Sequence, residues 1–132
     1  MRICYAILAD MAIRATDGKV SIIGVFNRLY AAGFPVVHER MAIVVAFEGG
    51  PELAGTTVEI RVGVLDPEAK ELVFADIRLD IDPNELRPKG ELICDWPPVR
   101  FDAPGDYIVR VTSPSAETYE TGLELLNFRF AG

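Results

Sequence analysis

The most constraining feature of this sequence is a pair of long apolar runs, residues 3–13 and 20–29, joined at Asp17-Gly18. Asp-Gly tolerates the positive φ angles of a tight turn between two β-strands. The sequence therefore predicts a β-hairpin. If Asp17 and Gly18 are the two loop residues, residues whose numbers add to 35 face each other across the strands.

This predicted hairpin is apolar on both faces. Alternate residues from Ile3 to Ile13 form one face, and the opposite face gathers Leu8, Ala12, Ile23, Val25 and Leu29. An antiparallel sheet usually leaves one polar face to water, so a hairpin with two apolar faces needs a second cover. Another layer of the same domain or another subunit could provide it, and those five residues are the predicted interface. Gly24, inside the second strand, indicates a bulge or a close backbone approach.

Further strands follow, separated by turn residues such as Pro, Gly and Asp. They are predicted at residues 41–47, 57–65, 72–81, 91–96, 107–112 and 119–130. In the last of them, a phase slip between Leu125 and Leu126 indicates a bulge that re-aims Phe128 and Phe130. Seven or eight strands without a convincing helical period predict an all-β fold, a two-sheet antiparallel β-sandwich formed by residues 1–132 as one domain.

The charge balance limits the classes of partner. Thirteen basic residues against twenty acidic ones leave a formal net charge of −7, which would repel a nucleic acid backbone. No apolar run approaches the roughly 18 residues of a membrane-spanning helix. The start of the chain superficially resembles a signal peptide, but Asp10 interrupts its apolar run, so we expect a cytoplasmic protein.

Residues typical of catalytic and metal sites are few. Acid–base chemistry centred on histidine would have to use His38, the sole histidine. Glu39 and Arg40 follow it and favour a solvated turn, and no nucleophile motif accompanies it. Cys4 and Cys94 lack metal or redox spacing, so we expect buried free thiols and no cofactor.

Two features leave a ligand site open as an alternative. Asp80, Asp82 and Asn84 stand at alternate positions, as in part of a calcium-binding loop, although Glu85 occupies the place where such a loop needs glycine. Trp96, beside two prolines, could join nearby tyrosines in an aromatic platform for a sugar ring. Packing in the core or at its rim is the competing interpretation of Trp96, because large aromatic residues are mostly buried.

The segments 8–12 and 17–29, followed by Phe34-Pro35 and His38, resemble the start of a family of small, uncharacterised bacterial proteins, a domain of unknown function. The resemblance covers the first third of the chain well. It implies a soluble β-sandwich and offers no known activity or site to transfer.

These observations predict a non-enzymatic cytoplasmic β-sandwich that works through protein–protein contact, as a homo-oligomer or an assembly component. The predicted apolar face of the hairpin is the reason, because exposed apolar patches usually mark interfaces. The alternative is a ligand-binding module for carbohydrate or calcium, using Asp80, Asp82, Asn84 and Trp96. Neither nucleic acid nor membrane is an expected partner.

Overall fold

A computed structural model describes residues 1–127, which form an all-β sandwich as predicted. The strands are β1 (Arg2–Arg14), β2 (Val20–Val25), β3 (Arg28–Ala31), β4 (Val36–His38), β5 (Met41–Glu48), β6 (Thr57–Leu65), β7 (Glu71–Asp80), β8 (Lys89–Trp96), β9 (Val99–Phe101), β10 (Gly105–Ser113) and β11 (Ala116–Asn127). A short 3₁₀ helix spans Pro51–Leu53. The predicted re-aiming of Phe128 and Phe130 lies outside the described residues. Within the described chain, no helix is long and apolar enough to cross a membrane.

The strands form two large sheets and one short ladder. The first sheet has the order β2-β1-β5-β8, the second has the order β3-β11-β10-β6-β7, and β4 pairs with β9. All pairs are antiparallel except β3 with β11, which is parallel. The chain leaves the first sheet after Val25 and joins the second at Arg28, so the second predicted strand is divided in two. This division and the short β4 and β9 strands raise the strand number above the seven or eight predicted.

The main core lies between the two sheets. Alternation places Ile43 and Val45 of β5 opposite inward-facing residues of the second sheet, such as Ile60 and Val109, and all four are fully buried. Tyr107 also points inward, as its strand's alternation predicts. Its hydroxyl donates a hydrogen bond to the Ala103 carbonyl at 2.6 Å, and burial raises the pKa of this phenol. The turn before β10 is thereby fixed to the core.

The hairpin of β1 and β2 is confirmed, but its predicted register is wrong by one residue. Paired residues add to 34, so Met11 faces Ile23. The Gly18 amide donates to the Ala15 carbonyl, and the Ala15 amide donates to the Lys19 carbonyl, which closes a three-residue loop. Gly18 has φ +89° and ends the type I turn that such loops contain. A one-residue shift reverses the relative facing of two strands, so the predicted interface set is not preserved.

Candidate functional site

The outer face of the first sheet, which points away from the main core, is also apolar. Ala42 and Val44 lie on the side of β5 opposite Ile43 and Val45, and both are fully buried. They form a small cluster with Ala12. The half-buried side chains packed around this cluster are Tyr5, Val20, Ile22 and Ile93.

This outer face is covered by the far end of the hairpin, residues 11–23, which we call the arm. Tyr5, Ala46 and Glu91 are at one level of the first sheet, because each pairs with the next. In a flat sheet, Arg14 would stand about 30 Å beyond that level, since a strand rises about 3.3 Å per residue. Yet the Arg14 guanidinium donates a hydrogen bond to the Glu91 carbonyl, on a strand separated from β1 by β5. β1 therefore bends back and carries the arm across the outer face.

The bend lies at Asp10 and Gly24. Strict alternation along β1 would place Leu8 and Ala12 on the same side of the sheet. Instead, Leu8 packs in the main core and Ala12 packs on the other side. Asp10 stands between these two residues, and Gly24 of β2 lies next to it. Gly24 has φ +72°, and a Cβ atom there would lie 2.5 Å from the Asp10 carboxylate. A side chain at position 24 would meet both a strained backbone and a steric clash. Glycine is therefore what permits the hairpin to bend here.

His38 lies beside this bend, in a strand rather than in the solvated turn that its neighbours favour. Its Nε2 is 3.7 Å from Oδ1 of Asp10, and its ring meets the edge of Phe26 with centroids 5.4 Å apart. Within residues 1–127, this buried nitrogen has no hydrogen-bond partner. The sole histidine thus connects the bend to the β4–β9 ladder through its ring packing on Phe26 and its approach to Asp10.

The outward side of the arm is apolar and exposed. Ile23 faces Met11 across the hairpin, and Ile13 lies two residues further along the same side of β1. Ile13 and Ile23 are each 51% exposed, and Val25, at the base of the arm, is 64% exposed. We call Met11, Ile13, Ile23 and Val25 the apolar patch.

The five residues of the predicted interface do not share one surface. Leu8 is in the main core, Ala12 is on the inward side of the arm, and Leu29 packs at the edge of the main core. Ile23 and Val25 are exposed and belong to the apolar patch. Sequence reasoning missed Met11 and Ile13 because the register of the hairpin, which decides the facing of the strands, was set one residue away.

The residues of the predicted calcium loop do not converge. The Thr57 hydroxyl donates to the Asp80 carboxylate at 2.8 Å, and the backbone N–H of Asn84 donates to the Asp82 carboxylate at 2.7 Å. In the described part of the chain, no three acidic, histidine or cysteine side chains are grouped to hold a metal ion. Local hydrogen bonds engage both aspartates.

The predicted aromatic platform is not formed at the surface. Trp96 is only 9% exposed, and it packs in the main core with Tyr107. Its indole Nε1 has no hydrogen-bond partner among residues 1–127. A sugar ring could not stack on Trp96 or Tyr107 without displacing core side chains, so the rim or core interpretation of Trp96 fits the structure.

Cys94 is the buried thiol that the sequence predicts, whereas Cys4 is partly exposed. Burial raises the pKa of the Cys94 thiol to about 11, with a smaller contribution from Asp95. Because the thiolate is the reactive form of cysteine, Cys94 is protected from reagents that modify thiols. Cys4 lies next to Arg2, whose guanidinium is 3.8 Å from the Cys4 sulfur.

A surface groove of about 540 Å³ crosses the outer face of the second sheet. Two arginines line it, and each already faces a carboxylate of its own sheet. Arg61 lies 2.5 Å from Glu71, and Arg78 lies 3.7 Å from Glu59. The charges of this groove are therefore compensated within the sheet.

Comparison with known proteins places the chain in a family. A family model described as a family of unknown function, DUF6941, matches residues 4–124. The chain belongs to this family. The match extends the resemblance seen in the first third of the sequence to nearly the whole chain, and it contains the arm, the bend and the apolar patch.

No curated protein matches the DUF6941 chain. A solved structure that matches in part is a β-glucosidase from Listeria innocua in complex with isofagomine. The identity is 14% and the TM-score is 0.48, over 77% of this chain. The DUF6941 chain spans 15% of that enzyme chain, and a likeness this weak carries no argument about activity.

Proposed function

We propose that this DUF6941 protein is a non-enzymatic, cytoplasmic bacterial β-sandwich that acts through protein–protein contact, as a homo-oligomer or a component of an assembly. The observation that carries the proposal is the apolar patch on the arm. Its three most exposed members, Ile13, Ile23 and Val25, each keep about half or more of their surface in water. Neighbouring exposed apolar side chains of this kind usually mark a binding surface.

The anchoring of the arm supports this proposal. Ala12 packs on Val44 and Ala42, and Arg14 holds the Glu91 carbonyl, so the patch is presented on a fixed support. A surface that is already ordered loses less conformational entropy when a partner binds. The arm therefore suits recognition better than a mobile loop with the same side chains would.

Light scattering at high micromolar concentration tests the proposal. We expect the wild-type protein to have a mass above that of the monomer, and Ile23→Asp to lower it, because a carboxylate in the patch would have to lose its hydration at the contact. Leu86→Asp is the matched control, since Leu86 is a similarly exposed apolar residue in a loop. A strictly monomeric wild-type protein that also recovers no partner from lysate would contradict the proposal.

A further inference from the structure

Of the four edges of the two large sheets, as far as residues 1–127 describe them, the edge of β2 is the least protected. β7 carries charges at Glu71, Asp76, Arg78 and Asp80, and the Glu91 carbonyl of β8 already accepts from Arg14. β3 is only four residues long and begins with Arg28. By contrast, Val20–Val25 contains neither a charge nor a proline, and four of its six residues are exposed. Soluble proteins usually guard such an edge with charges, prolines or a cover.

Backbone groups on this edge are available for pairing. The Ala15 amide donates to the Lys19 carbonyl at 2.8 Å, which makes positions 15 and 19 a hydrogen-bonded pair. Hydrogen-bonded and non-hydrogen-bonded pairs alternate along an antiparallel ladder. Ser21 and Ile23 therefore direct their N–H and C=O groups toward β1, while Val20 and Ile22 direct theirs to the open side. Among residues 1–127, β2 has no strand partner besides β1.

We infer that this edge binds a second copy of the chain, with β2 pairing antiparallel to β2 about a two-fold axis at Ile22. This inference rests on the proposed function and names its partner. Residues whose numbers add to 44 would face each other, so that Ile22 exchanges hydrogen bonds with the partner's Ile22. This register brings the outward-directed groups of both strands together, and a two-fold contact is complementary to itself by symmetry.

The charge distribution favours an identical partner over a basic one. The chain has a net charge of −7, so two copies repel each other over most of their surfaces. β2 has no charged residue, and a contact centred on it adds no direct repulsion at close range. A basic partner would instead be drawn to acidic residues, which this strand lacks.

Disulfide cross-linking between two single variants tests the register. Ser21→Cys and Ile23→Cys are each made in a Cys4→Ser background, mixed at equal concentration and oxidised gently. Position 21 faces the partner's position 23 in a non-hydrogen-bonded pair, with Cα atoms about 4.5 Å apart, which a disulfide can span. Neither variant alone should cross-link efficiently, because like positions stand more than about 7 Å apart in this register.

We expect at least about fivefold more disulfide-linked dimer in the mixture than in either variant alone, given this geometric limit. If the wild-type protein is oligomeric by light scattering but the mixture shows no excess, the edge pairing is wrong and the proposed function stands. Equal cross-linking in all three samples would also overturn the register. A wild-type protein that stays monomeric and recovers no partner would overturn both.

Discussion

The two outer faces of the sandwich meet water in opposite ways. On the first sheet, Ala42 and Val44 are fully buried beneath the arm. On the second sheet, Arg61 bridges Glu71 and Asp76, and its guanidinium lies 3.7 Å above the ring of Phe74. One face is thus apolar and covered, whereas the other is charged and open.

The difference follows from the alternation of the strands. Residues 41–47 are apolar on both sides, so β5 requires a layer on each side, while β6 and β7 alternate and require only one. The chain supplies the additional layer from its own hairpin. That hairpin is apolar on both faces too, and covering Val44 with one of them leaves Ile13 and Ile23 exposed on the other. The arm therefore buries the apolar outer face of the first sheet but exposes an apolar face of its own.

The largest effect is expected from placing a charge beneath the arm. Val44→Asp would bury an unpaired carboxylate or force the arm away, and we expect it to lower the free energy of unfolding by about 4 kcal/mol. Thr112→Asp is the matched control on the open face, where Thr112 pairs with Arg61 across the strands. We expect that change to stay within about 0.5 kcal/mol.

Chemical denaturation of both variants measures this difference, and hydrogen exchange locates it. Under Val44→Asp, amides of the arm should exchange faster than those of β10 and β11. Equal losses of stability in Val44→Asp and Thr112→Asp would show that the arm does not seal the outer face.

The second prediction concerns the bend. Gly24→Ala would combine a positive φ with a Cβ clash against the Asp10 carboxylate, and we expect a loss of about 2 kcal/mol. Gly122→Ala is the control in β11, because a Cβ there meets no atom within 4 Å. It should be neutral or slightly stabilising.

Thermal or urea unfolding of the two alanine variants checks this prediction. Adding Asp10→Ala to Gly24→Ala should recover part of the loss, because it removes the two closest contacts, those with the carboxylate group, and leaves the backbone strain. If Gly24→Ala were as well tolerated as Gly122→Ala, the bend would not depend on glycine.

Alternation of apolar and polar residues was sufficient to predict the sandwich and, to within a few residues, most of the strand bounds. The strand at 57–65 is predicted with the bounds that the structure gives, because one of its faces is wet and the other buried. The same rule was insufficient for β1, since both of its faces are apolar and either register satisfies the pattern. Asp17-Gly18 suits a two-residue and a three-residue loop equally well, so the turn did not settle the register either.

The candidate surface was predictable only in part. The sequence indicated that the hairpin needed a second cover, and Gly24 marked a close approach, but the two signals were not connected to a bend. The folding back of β1 brings Arg14 to Glu91, which is 77 residues away in the sequence. No local pattern records such a contact. Ile23 and Val25 were found because alternation placed both on the face of the hairpin that was predicted to need a cover.

The third prediction tests the anchor of the arm. Arg14→Ala removes the hydrogen bond to the Glu91 carbonyl, and we expect it to lower the free energy of unfolding by about 1 kcal/mol. A buried hydrogen bond of this kind would contribute more, but Arg14 is exposed and water screens its charge. Amide exchange in the arm should increase more than exchange in β5. Unchanged exchange in the arm would show that apolar packing alone holds it on the sheet.

The smallest effect is expected on the open face, at Arg110 and Glu120. These residues face each other across β10 and β11, with a nitrogen–oxygen distance of 3.3 Å, and both side chains are substantially exposed. Water and salt screen such a pair, so a double-mutant cycle with alanine should give a coupling of about 0.3–0.5 kcal/mol that weakens as ionic strength rises. A coupling well above about 1 kcal/mol would mean that this exposed ion pair contributes more to stability than the Arg14 anchor of the arm is expected to, and that the charges of the open face are not screened as expected.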